Sequence, residues 1–185
     1  MLGGTLMGQW TGEYMKQMIY YVKIDMLEIL QKVIEYLPYN MLLLLLVLFF
    51  FQSKRTVGIL CFLQYIVIVG YITLLSREPG SRQGVDFTVF ATWGMGSRMD
   101  AFVVENVLLF IPIGLLLPLI GKRFRNIGWC LAAGGVISAM IEGIQYVTQR
   151  GFVQLEDIVT NVMGTLVGFF FFFIIRWIYR NILEK

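Results

Sequence analysis

The stretch Ser138–Gly168, SAMIEGIQYVTQRGFVQLEDIVTNVMGTLVG, decides how this chain folds. It joins two strongly apolar segments, roughly residues 127–147 and 158–179, and carries Glu142, Gln145, Arg150, Asp157 and Asn161 across their facing ends. Apolar runs of that length read as membrane helices, which need about 20 residues to cross the hydrocarbon core. A carboxylate inside such a helix costs roughly 2.5–3.5 kcal/mol on insertion scales. A chain that keeps one there usually uses it, so the search for a site starts with these residues.

Outward from this stretch lie three further apolar runs, roughly 39–52, 57–75 and 102–120. The chain has 185 residues, of which 58% are hydrophobic and 15% charged, and its mean hydropathy is +0.74. Soluble domains carry about 25% charged residues. The reading is an all-α, polytopic membrane helix bundle of about five transmembrane helices. The 39–52 run is short for a span unless residues 36–38 help it reach both interfaces.

Residues 13–37 follow a different pattern. Met15, Met18, Ile19, Val22, Met26, Ile29, Leu30, Val33 and Leu37 recur at spacings of three and four, while Lys16, Lys23, Glu28, Lys32 and Glu35 fall largely on other faces. That is an amphipathic helix, expected to lie along the membrane interface. Pro38 fits a bend into the first span. The lysines interrupt any short apolar core, so no cleaved signal peptide is expected. Two regions result: a 1–37 tail with interfacial helix, and a 38–185 transmembrane domain.

Charge placement orients the bundle. Eight positive residues lie in the 53–56 loop, the 121–126 loop and the C-terminal segment, all short, and seven are spread over longer segments on the other side. Of twelve acids, only Glu184 lies on the basic side. The positive-inside rule puts the basic loops and the C-terminus in the cytoplasm, with the 76–102 and 148–157 loops extracytoplasmic. Arg77, Glu105, Asn106, Glu142, Gln145, Arg150, Asp157 and Asn161 then all lie near one outer boundary. Glu142, Gln145 and Gln149 share one helix face, and Asp157, Asn161, Gly164 and Gly168 share another. Asp157 opens its helix, where a carboxylate accepts backbone N–H groups. Gly164 and Gly168 form the small-residue seam that lets helices approach closely. Pro112 removes the helical donor to Leu108 O in the third span.

These residues resemble the VanZ-like membrane protein family. The likeness rests on Tyr71–Arg77 (YITLLSR), Glu105–Gly114 (ENVLLFIPIG), Glu142–Gln145 (EGIQ), Arg150 and Asp157–Gly164 (DIVTNVMG). It covers roughly residues 40–180. The resemblance implies a link to low-level teicoplanin resistance in glycopeptide-resistant bacteria and supplies no reaction.

Several chemistries are excluded or demoted. The chain has no histidine, which removes His-based triads, proton relays and His metal sites. Cys61 and Cys130 fall inside spans and read as small apolar residues, with no metal pattern and no disulfide. No nucleotide fingerprint appears. A net charge of +3, with its basic residues at membrane boundaries, does not suit nucleic acid. No cofactor is expected.

Two functions remain, each weighed against a plain structural role as helix glue, ion pairs or interface anchors. The first is an outward-facing polar pocket for an amphiphilic anionic envelope ligand, such as a lipid-linked cell-wall precursor or a lipoglycopeptide. Arg77 and Arg150 would meet the anionic group; Asn106, Gln145 and Asn161 would orient it; Glu142 and Asp157 would balance the arginines. The second is an intramembrane enzyme on a lipid-linked substrate, with Glu142 or Asp157 as general acid/base. No activated nucleophile is evident, which ranks it lower. A proton-coupled transporter is less favoured still, because no internal repeat is evident.

Overall fold

The computed structural model describes residues 11–50, 53–75, 77–80, 84–89 and 92–183, with the side chains of residues 32, 33, 36–50 and 54 outside that description. Five helices carry the fold: α1 (Gly12–Phe50), α2 (Lys54–Gly70, continued by a wider turn over Tyr71–Leu75), α3 (Ser97–Ile120), α4 (Ile127–Thr148) and α5 (Leu155–Ile178). Among the described residues, four helical stretches are long and apolar enough to cross a membrane: Arg55–Leu75, Ser97–Ile120, Ile127–Thr148 and Leu155–Ile182. The architecture is the expected all-α bundle. Of the remaining expected span, 39–52, residues 39–50 fall on the C-terminal part of α1, whose side chains lie outside the described set, as do residues 51 and 52, Ser76, Arg82 and Glu184.

Helix α1 is helical through Pro38, the position at which the sequence places a bend. Its 39 residues span roughly 58 Å at 1.5 Å per residue. Its amphipathic part also has a protein partner, since α1 packs against α3. Met18 is buried, the Tyr14 hydroxyl donates to Asp100 Oδ2 at 2.7 Å, and Arg98 Nη1 meets Asp25 Oδ2 at 2.7 Å. Arg98 also lies over the Tyr21 and Phe102 rings. Ile19, Leu27, Leu30 and Ile34 remain exposed on other faces.

Helix α3 is the centre of the bundle. It packs most extensively on α5 and also touches α2, α1 and α4. Phe110, Ile113, Leu117, Cys130 and Phe169 form the buried core. The α3–α5 approach is backbone to backbone. A Cβ at Gly164 would collide with Val107 O, one at Gly168 with Ile111 O, and one at Gly114 with Thr165 O. The small-residue seam expected from Gly164 and Gly168 is therefore completed by Gly114 on the facing helix.

Two prolines interrupt the α3 hydrogen-bond ladder, Pro112 and Pro118. Pro118 has no N–H to give to Gly114 O, and Cys130 Sγ, 3.9 Å away on α4, donates there instead. Cys130 is thus a buried free thiol with a structural role. At the basic end, Arg55 Nε donates to Ile120 O at 3.0 Å and Arg125 Nε to Pro118 O at 3.4 Å. These cations close the C-terminal carbonyls of α3, as the helix dipole favours. Asn126 caps α4, its Oδ1 accepting from Gly128 N at 3.0 Å and Trp129 N at 3.4 Å.

The opposite end is tied by a feature absent from the sequence reading. Strands β1 (Val85–Asp86) and β2 (Val153–Gln154) pair in parallel, Val85 opposite Val153. This two-residue ladder clamps the α2–α3 loop to the α4–α5 connection, beside the polar residues.

Candidate functional site

At this end of the bundle, α1, α2, α3, the α2–α3 loop and the start of α5 enclose a cavity of about 510 Å³. Its polar lining includes Arg77, Asp86, Glu105, Asn106 and Asp157. Met26, Met95, Met99, Phe102 and Phe152 contribute an apolar lining. Unbranched methionines adapt to irregular apolar shapes.

Arg77, Asn106 and Asp157, three of the seven residues singled out by sequence, line this space. Asn106 Nδ2 donates to Asp157 Oδ1 at 2.8 Å, joining α3 to α5 across it. Asp157 lies in the first turn of α5, where the sequence suggested a cap, but the helix start has no side-chain cap and the carboxyl bonds Asn106. Arg77 interacts electrostatically with both Asp157 and Glu142. Its guanidinium also lies against Gly151, where a Cβ would come within 2.9 Å of Arg77 Nη1.

Glu142, Gln145 and Arg150 form a supporting layer behind the cavity. Glu142 is 3% exposed, and its Oε2 accepts from Gln154 N at 3.0 Å. The carboxyl thereby fixes the α4–α5 connection. Gln145 Nε2 donates to Thr73 O at 3.0 Å and Arg150 Nη1 to Leu74 O at 2.9 Å. The last carbonyls of a helix have no partner of their own. Here two side chains from α4 and its C-terminal turn supply the missing donors for α2. Asn161 lies deeper, where its Nδ2 meets Ser138 Oγ at 2.9 Å between α5 and α4. The seven residues thus fall into a lining set, a supporting set and one interhelical link.

Sequence reasoning passed over several carboxyls at this end. Asp100 is fully buried and accepts from Gly94 N at 2.6 Å as well as from Tyr14. Its place in the first turn of α3, just after the glycine-rich TWGMGS, is the signal that marks a helix-start carboxylate. Glu156 is 1% exposed and accepts from Thr92 N at 2.8 Å. Each fixes the 92–96 loop that forms part of the cavity rim. Asp86 lines the cavity from β1; the Thr88 N–H, 2.8 Å from its Oδ1, holds its carboxyl below the usual carboxylate range. Among the described residues, no group of His, Cys, Asp and Glu is arranged to hold a metal ion.

A membrane-type helical bundle with a mixed polar and apolar cavity at one end is the class that fold and site define. The chain belongs to the VanZ/LLP1 family, whose pattern it matches over residues 41–176. It is 32% identical over 97 residues to Protein VanZ of Enterococcus faecium, an alignment covering 51% of this chain and 56% of that protein. The match therefore spans little more than half the length of that relative. No solved structure matches the chain. The family match includes Arg77, Asn106, Glu142 and Asp157, and excludes the part of α1 that packs on the start of α3.

Proposed function

We propose that this protein is a non-enzymatic membrane protein of the bacterial envelope whose cavity binds the head of an amphiphile, a lipid-linked cell-wall precursor or a lipoglycopeptide, and so contributes to glycopeptide (teicoplanin) resistance. The observation that carries the reading is the single cavity in which Arg77, Asn106 and Asp157 share a space with methionine and phenylalanine side chains. A polar head and an apolar tail both find matching surface there. The resemblance to the VanZ-like family supports the phenotype. The placement of basic residues supports a cavity that opens extracytoplasmically, with the C-terminus in the cytoplasm.

Of the two arginines considered for an anionic group, Arg150 holds Leu74 O and Arg77 lines the cavity. Arg77 is therefore the cation that meets an anionic part of the ligand, and the other arginine acts on the scaffold. Glu142 accepts from the Gln154 amide and does not itself line the cavity, so of the two carboxyls considered as general acid/base only Asp157 does.

The test is expression in a teicoplanin-susceptible bacterium. Arg77→Ala and Asp157→Asn should each abolish the rise in inhibitory concentration conferred by the unaltered protein, at equal abundance in the membrane. Full resistance in both variants would sink the reading. Single cysteines at position 95 and position 181 report orientation: the first should label in intact cells, the second only after permeabilisation.

A further inference from the structure

The described lining of the cavity divides by element. Arg77, Asp86, Thr92, Gln154 and Asp157 come from the α2–α3 loop, the β1–β2 clamp and the start of α5. On the other side stand Met26 and Ile29 of α1 and Ile72 and Thr73 of α2, with Leu109 of α3 one turn further into the span than Asn106. The polar groups on this side are taken up within the protein. Thr73 Oγ1 donates to Val69 O at 2.8 Å, and Glu105 is hydrogen-bonded to Asp25 of α1. What this side presents to the cavity is hydrocarbon. Met26 and Ile29 are three residues apart and share a helix face with Met18 and Asp25. That face is fastened to the start of α3 by Asp25–Arg98 at 2.7 Å and Tyr14–Asp100 at 2.7 Å. Ile24 and Leu27 fall on other faces of α1 and are exposed. The family match begins at residue 41, so this wall is supplied by a segment that precedes the matched residues.

We propose that the acyl tail of the amphiphile lies in a slot between Met26 and Ile29 of α1 and Ile72 of α2, while its anionic head stays at Arg77, so that α1 is the element that selects the tail. This rests on the amphiphile-binding reading and adds to it the course of the ligand. In a bilayer a tail gains little by leaving lipid, because lipid is as apolar as the slot. Its tether to the head holds it there, and the apolar wall receives it without stripping water from a polar group. The stiff branched chains of Ile29 and Ile72 give the slot a fixed width, and Met26 adapts to what enters.

The experiment uses the full chain in phosphatidylcholine nanodiscs with lysophosphatidylglycerol radiolabelled in its acyl chain. The photoreactive residue p-benzoylphenylalanine is placed at one position at a time and irradiated over a range of lipid content. Positions 29 and 72 test the slot from its two sides, position 152 tests the cavity beside the clamp, and position 27 tests the outer face of α1. Capture at 29, 72 and 152 should saturate, and Arg77→Ala should cut it by about tenfold at low lipid content, the effect of losing one charge-assisted hydrogen bond. Capture at 27 should rise in proportion to the lipid and be indifferent to Arg77→Ala. Proportional capture at 29 and 72, with saturable, Arg77-dependent capture at 152, overturns the tail slot and leaves the amphiphile pocket standing. Proportional capture at all four positions overturns both.

Discussion

Replacing Gly168 by alanine puts a methyl group where Ile111 O of α3 already lies, in a seam where Gly164 and Gly114 make equally close approaches. In an isolated helix the change stabilises by about 1 kcal/mol, because alanine loses less backbone freedom than glycine. Here the obstacle is a backbone carbonyl that no rotamer can move aside, so α3 and α5 must separate. Overpacking of this kind costs about 1–3 kcal/mol, and this interface carries Phe110 and Phe169 of the core. The net expectation is a loss of up to about 2 kcal/mol, or a fall of up to roughly 8 °C in Tm for a chain of this size. Gly143 provides the control, since nothing lies within 4 Å of a Cβ there. Gly143→Ala should raise Tm by about 2–4 °C through helix propensity alone. The assay is thermal unfolding in detergent, followed by tryptophan fluorescence. If Gly168→Ala moves with Gly143→Ala, upward or not at all, the backbone-contact argument is wrong.

Glu142→Ala should cost about 1–3 kcal/mol by orphaning Gln154 N, whereas Glu142→Gln keeps an acceptor there and should lose much less; limited proteolysis of the 148–154 connection distinguishes them, and equal cleavage of the two variants would refute the cap. Asp86 gives a pH test. Its pKa is depressed in the folded state by the Thr88 N–H, so its contribution is present above the ordinary aspartate range and is lost as the pH falls through the folded value, below roughly pH 4. Hydrogen exchange at the Thr88 amide should show protection at pH 5 that disappears in acid, and Asp86→Asn should remove that pH dependence.

The bundle was legible because its signals are local. Each span is a long apolar run, and Gly164 and Gly168 are read as a seam from spacing alone. The site was legible in part. Arg77, Asn106 and Asp157 stand out as polar groups at the ends of apolar runs, and all three line the cavity. Glu142, Gln145 and Arg150 look identical by that criterion, yet their work is to satisfy backbone groups of Gln154, Thr73 and Leu74. Sequence marks a polar side chain as costly without naming its partner. Glu105 entered the reading only as a residue at the mouth of a span, because its link to Asp25 joins positions 80 residues apart, across two helices. The β1–β2 clamp was invisible for a related reason: two-residue strands carry no periodicity.

Arg150 and Gln145 grip α2 within four residues of Arg77. Arg77, the only arginine among the described residues lining the cavity, therefore sits on a tether whose far end belongs to α4 and its connection to α5. A saturation screen for resistance would flag positions 145 and 150 as strongly as position 77, and a map drawn from such a screen would place the ligand one layer too deep. Structure-guided reading of that map should discount the anchor points before outlining the footprint.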